Sequence, residues 1–177
     1  MLLRHVRYGV FSTLALSFLL SGCTAAAPAT RSSKESISVS RAVTYDSIAD
    51  LRRDSDDVVI VTAGAATHGA INGLPVTITS VSVSRSILGG GTSFEVQQIG
   101  SATVLSPMTS PLLQSGDQYL LFLTRFRWSP DRPTDRFVIT GDQGIYELKH
   151  GQFVNVAWDS KLPGTVPEGM VDTFVRG

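Results

Sequence analysis

Few residues of this chain combine a reactive side chain with a suggestive setting. There is one cysteine, Cys23, and there are three histidines, His5, His68 and His150. His68 stands beside Gly69 and His150 beside Gly151, two turn signals, and neither has a second histidine or a carboxylate at a metal-binding spacing. The acids fall where turns want short polar side chains: Asp56 and Asp57 ahead of a β-branched run, Asp117 after Ser115-Gly116, and Asp142 after Gly141. Turn formation explains all four more economically than paired-carboxylate catalysis. Asp131 and Asp135 are too sparse an oxygen set for calcium. No Gly-x-Ser-x-Gly or Ser-x-x-Lys context presents a serine nucleophile. Gly89-Gly90-Gly91 lacks both the Gly-Lys-Ser/Thr ending and the following helix of a phosphate loop, so it reads as a turn. With no metal site, no cofactor site and no catalytic constellation, the chain reads as non-enzymatic.

Recognition chemistry concentrates in one segment, Arg125-Phe126-Arg127-Trp128, with Arg132 and Arg136 beyond it. Aromatics among arginines in a loop can form a surface for protein, glycan or an anionic envelope polymer. The competing reading is structural: Phe126 and Trp128 cap the end of a β structure while the arginines stay solvated.

The setting of Cys23 is more specific. Met1 to Gly9 carry Arg4, His5 and Arg7 and no acid, and they run into the apolar stretch Val10 to Leu20. At about ten residues that stretch is half the length a permanent membrane helix needs, but it suits the core of an export signal. Leu20-Ser21-Gly22-Cys23 follows directly. This resembles the lipobox of bacterial lipoproteins. The resemblance implies a diacylglyceryl thioether on Cys23, cleavage after Gly22, and a protein held by lipid on the extracytoplasmic face of the cell membrane. An ordinary signal peptide cleaved within Ala25 to Ala29 is the alternative. Against it, a lone thiol in an exported protein cannot close an internal disulfide and would stay exposed, whereas acylation uses it up.

Composition then bounds the rest. The formal charge of the whole chain is zero, but the export signal removes Arg4 and Arg7 while all fifteen acids lie beyond Cys23. The remainder is slightly acidic, with no basic field for nucleic acid or broad contact with anionic lipid. Residues 23–40 are rich in Ala, Ser and Thr without apolar period and read as a flexible spacer; residues 41–177 suit one domain.

The elements within 41–177 are mostly strands. Asp46 to Arg53 is a short helix capped by Thr44 or Asp46, with Tyr45, Ile48 and Leu51 packing inward. Asp56 to Ala63 and Leu74 to Ser84 form a hairpin, with Ala66 to Gly73 as its loop and Asn72-Gly73 as the turn. Ser93 to Ile99 alternates, Gly100 to Gly116 is a loop containing Pro107 and Pro111, and Gln118 to Thr124 is a strand covered on both faces. Arg125 to Arg136 reads as a loop. Three short strands follow at Phe137 to Thr140, Gly144 to Leu148 and Gln152 to Ala157. Pro167 opens a final helical turn or two. About six strands, turns every eight to twelve residues and no strand-helix alternation predict an all-β domain: a small OB-like antiparallel barrel, or alternatively a β-sandwich.

The order of Ser55-Asp56-Asp57-Val58-Val59, Thr77 to Val83, Leu88-Gly89, Phe94 to Ile99, Tyr119-Leu120-Leu121-Phe122-Leu123 and Gly141-Asp142-Gln143-Gly144-Ile145-Tyr146 resembles uncharacterised extracytoplasmic domains of actinobacteria. More distantly, the layout is similar to netrin and tissue-metalloprotease-inhibitor modules, which are OB-type barrels. Those modules depend on cysteines that are missing after Cys23, so their inhibitory mechanism does not transfer. The expected function is that of a lipid-anchored binding or scaffold module of the cell envelope. The alternative is an accessory protein or inhibitor of an extracytoplasmic hydrolase, and a hydrolase built from scattered acids comes third.

Overall fold

The structure is a computed structural model, and it describes residues 35–36, 43–105, 110–129 and 132–176. The motif Leu20-Ser21-Gly22-Cys23, the spacer apart from residues 35–36, Pro107 and Asp131 lie outside the described residues. In chain order the elements are β1 (Glu35–Ser36), α1 (Ile48–Arg53), β2 (Asp57–Ile71), β3 (Leu74–Leu88), β4 (Ser93–Ile99), β5 (Val104–Leu105), β6 (Gln118–Ser129), β7 (Arg132–Ile139), β8 (Ile145–Lys149), β9 (Gln152–Asn155), β10 (Thr165–Pro167) and α2 (Val171–Arg176).

The fold is all-β with two short helices. Eight strands form one mixed sheet in the order β10-β9-β8-β6-β2-β3-β4-β7. β7 also pairs with β6, so β6, β2, β3, β4 and β7 are joined in a circuit. All the pairings in that circuit are antiparallel except the short parallel joint of β4 with β7, where Glu95 faces Arg136 and Val96 faces Phe137. Beyond β6, the strands β8, β9 and β10 extend the sheet as an antiparallel meander.

This differs from the expected six-strand antiparallel arrangement. Two stretches assigned to loops are strand instead. Ala66 to Ile71 continues β2 and pairs residue for residue with Leu74 to Thr79, leaving only Asn72 and Gly73 as the turn. Their φ values of 50° and 80° are what a two-residue turn matched to strand twist requires. Arg125 to Arg136 is not a loop either: β6 runs to Ser129 and β7 begins at Arg132, with register shifts between Arg125 and Arg127 and between Arg127 and Ser129. Those irregularities break the plain alternation by which strands are recognised. The helix cap also differs. Ser47, not Thr44 or Asp46, accepts the Asp50 N–H at 3.1 Å, and Asp50 in the first turn with Arg52 and Arg53 in the last complements the helix dipole.

Two apolar clusters lie on opposite sides of the β2–β6 wall. Alternate residues Val59, Val61, Tyr119, Leu121 and Leu123 join Val81, Val96, Phe137 and Ile139 in one. Val58, Ile60, Leu120 and Phe122 join Tyr45, Leu51, Tyr146, Phe153, Val171 and Val175 in the other, which the helices close. The run Tyr119 to Leu123 is therefore buried on both faces, as its unbroken apolar character predicts. Each such side chain contributes roughly 1.5–3 kcal/mol by leaving water.

Candidate functional site

Most residues with reactive side chains turn out to hold the fold. Asp57 is buried and accepts the Gly90 N–H at 2.9 Å. Its carboxylate occupies the space a Cβ on Gly89 would need, and Gly89 sits at φ +81°, so the glycine run is a turn shaped around an acid. Asp56 accepts the Arg125 N–H at 2.8 Å. The Asp117 carbonyl accepts from Ala63 at 2.9 Å, and Asp142 occupies a left-handed turn position at φ 55°. The Thr77 hydroxyl donates to the Gly100 carbonyl at 2.9 Å, which leaves His68 Nδ1, 3.1 Å away, to donate to Thr77 Oγ1. His150 supplies the first left-handed residue of the β8–β9 turn, at φ 51°. No group of three or more His, Cys, Asp or Glu side chains forms a metal-sized cluster among the described residues.

The arginine-aromatic segment is divided by its strand setting. The exposed Arg125 guanidinium lies 5.3 Å from the centroid of the Phe137 ring, a cation–π contact with a residue of β7. Arg127 is exposed opposite Pro133. Trp128 belongs to β6 and Arg132 opens β7, where it pairs with Ser129; their side chains lie outside the described residues. Phe126 is half-buried and turns toward a groove.

That groove, about 460 Å³, is the best candidate site. One wall comes from the β2–β3 tip, with Ile71, Leu74 and Val76. Gln97 and Ile99 of β4 form its floor, with Gln98 between them also on the lining, and Phe126 of β6 with Val138 of β7 forms the opposite wall. Val43, Tyr45 and the Thr140–Asp142 turn close one end, where Asp54 also contributes. Gln143, fully buried, ties this end together: its Oε1 accepts the Tyr45 N–H at 2.6 Å and its Nε2 donates to the Tyr45 carbonyl at 3.4 Å. Gly141, at φ +57°, lies so close to the Tyr45 ring that a Cβ there would come within 2.6 Å of it. The Tyr45 hydroxyl donates to Asp54 Oδ2 at 3.0 Å. Burial first, and then the hydrogen bond to Asp54, push its pKa up to about 12.

The floor holds the least expected feature. Gln97 and Gln98 are adjacent in a strand, so they face opposite sides, and both are buried. Gln98 is fully employed: its Nε2 donates to Pro111 O at 2.7 Å and Ser110 Oγ at 3.3 Å, and its Oε1 accepts the Leu113 N–H at 3.0 Å. Gln97 lines the groove with its Oε1 buried and without a hydrogen-bond partner. The sequence signal was the Gln-Gln pair itself, because an alternating strand with polar residues on both faces must bury one of them.

A second depression of about 440 Å³ lies between α1 and α2, lined by Ile48, Arg52, Arg53, Leu88, Phe174 and Arg176 among others. Arg53 is held by Asp50 at 2.7 Å and Asp54 at 3.4 Å, and Arg176 lies 3.9 Å from Asp172.

No helix among the described residues is long and apolar enough to cross a membrane. Compared with protein-family models the chain matches none, and no curated protein matches it in sequence.

Proposed function

We propose that the chain is a lipid-anchored extracytoplasmic lipoprotein whose β domain is a non-enzymatic binding module, with the Phe126–Gln97 groove as its ligand site. The observation that carries the binding part is the groove's make-up: apolar walls from four strands around a buried, unpartnered amide oxygen. Binding sites combine an apolar lining with a few placed polar groups. The anchoring part rests on Leu20-Ser21-Gly22-Cys23 after its short apolar run. We read the circuit β2-β3-β4-β7-β6 as a small OB-type barrel of five strands. In that architecture ligands bind on the face of the second and third strands, flanked by the loops that follow the first and fourth strands. Here the second and third strands are β3 and β4, which bring Leu74, Val76, Gln97 and Ile99 to the groove, with Ile71 beside the Asn72-Gly73 turn. Among the arginine-aromatic residues, this reading gives the ligand contact to Phe126.

Anchoring is tested by Cys23→Ser in the producing cell. The variant should escape lipid-dependent processing and move from the detergent phase to the aqueous phase on partitioning; wild-type behaviour in both assays would refute the tether. Binding is tested by Phe126→Ala, which should weaken capture of a groove ligand at least tenfold while leaving the circular dichroism spectrum unchanged.

A further inference from the structure

We infer that the outer part of the β2–β3 hairpin, Ala66 to Thr79, pairs with its equivalent in a second copy of this chain, the two β2 strands joining antiparallel about a two-fold axis at His68. The inference is independent of the groove as a ligand site and begins with the ladder. Asn72 and Gly73 form a two-residue turn, so Ile71 and Leu74 exchange backbone hydrogen bonds, and the pairs Gly69 with Val76 and Thr67 with Ile78 do the same. Pro75, opposite Ala70, has no N–H to give, and its carbonyl turns away from β2 to accept the Gly100 N–H at 2.8 Å. Ala66, His68 and Ala70 therefore direct their N–H and C=O groups outward, away from β3. Ala65 to Ala70 are exposed, and among the described residues no strand pairs with that outer side.

An open edge is ordinarily protected by charge, proline or a bulge. No Asp, Glu, Lys or Arg occurs from Val58 to Ser84. β2 holds no proline, and its register shift between Ala63 and Ala66 comes before the open stretch, not within it. The His68 ring is drawn toward the Thr77 hydroxyl of its own hairpin, 3.1 Å away, so the edge itself stays clear. What suits this edge to its own copy is symmetry. Ala66-Thr67-His68-Gly69-Ala70 has nearly the same order of sizes in both directions, small residues flanking one histidine. About a two-fold axis at His68, Ala66 meets the copy's Ala70, His68 meets the copy's His68, and Ala70 meets the copy's Ala66, each pair exchanging two backbone hydrogen bonds. Two identical charged edges would repel one another; these carry no Asp, Glu, Lys or Arg to do so.

The test is thiol crosslinking of the full chain in intact producing cells with a short, membrane-permeable bis-maleimide. Wild type, whose only cysteine is Cys23, sets the baseline, and Lys161→Cys, at an exposed site outside the hairpin, sets the yield of chance encounters. His68→Cys should give about fivefold more dimer than Lys161→Cys, because main-chain pairing holds the two positions together. Adding Ala66→Lys and Ala70→Lys should lower that yield about fivefold, since each lysine then faces a lysine across the two strands. Adding Ala66→Lys and Ala70→Glu instead should restore it, since each new charge then faces its opposite; with the same number of exposed changes, this variant also controls for folding of the hairpin. A His68→Cys yield no higher than that of Lys161→Cys, or one indifferent to the two lysines, overturns the pairing. Loss of dimer in both double variants overturns the antiparallel two-fold register. A crosslinked product containing any protein besides this chain overturns the second copy as the occupant.

Discussion

The two halves of β2 show what one strand can be used for. From Val58 to Thr62 it is paired on both sides, with β3 and β6, and Val58, Val59, Ile60 and Val61 are all within 5 % of complete burial. From Ala66 to Ile71 it pairs only with β3 among the described residues, and Ala65 to Ala70 are exposed. The first half separates two cores and carries stability. The second projects as an arm whose tip, Ile71 with Leu74, becomes a wall of the groove. Local stability is low where packing is sparse, and that is where binding surfaces are commonly found.

The sharpest way to break this contrast is Phe122→Ala, opposite Val58 in the doubly paired half. It should cost about 3–5 kcal/mol in urea unfolding, because a fully buried ring leaves a cavity in a packed wall; a loss below about 1 kcal/mol would mean the wall does not bear the load assigned to it. Alkaline titration comes next. Burial raises the Tyr146 phenol to about 12, as it does Tyr45, and both belong to the helix-covered cluster. Neutral phenols are favoured in the folded state, so this stability is fully present below pH 10 and is lost as the pH rises toward 12, on the order of 2 kcal/mol for each phenol. Phenolate absorbance near 295 nm should therefore rise late and together with unfolding; phenols ionising near pH 10 in a folded protein would contradict the packing.

At the groove the sign reverses. Gln97→Met should stabilise the chain by about 1 kcal/mol, since a buried acceptor without a donor costs on that order and a thioether of similar bulk does not. Destabilisation would show that Oε1 has a partner after all. The smallest effect belongs to the arm: His68→Ala, which removes only the contact of an exposed ring with the Thr77 hydroxyl, should change stability by no more than about 0.5 kcal/mol.

The same contrast explains how much was legible in the sequence. Val58 to Val61 and Tyr119 to Leu123 announced themselves because β-branched and apolar runs have few other uses. Ala66-Thr67-His68-Gly69-Ala70 did not, because an arm exposed on both faces needs no alternation and small residues imitate a loop. The β6–β7 arms were hidden by their register shifts and their arginines. The circuit of strands was out of reach, since Val96 and Phe137 meet across forty residues with nothing local to announce it. Of the site, Phe126 stands out in the sequence as a surface residue and lies in the groove wall, whereas nothing local marks Gln97 and Gln143, because a glutamine's importance depends on whether its partners exist. Burial of Gln97 followed from its neighbour; its missing partner did not.

Because β2 and β6 lend one face to each apolar cluster, neither cluster can melt while the other survives. The partition behaves like a wall shared by two rooms: removing it opens both. Heat or urea should therefore give a single cooperative transition seen alike by tyrosine absorbance and by far-ultraviolet dichroism, with no intermediate in which the helices have departed from an intact set of strands.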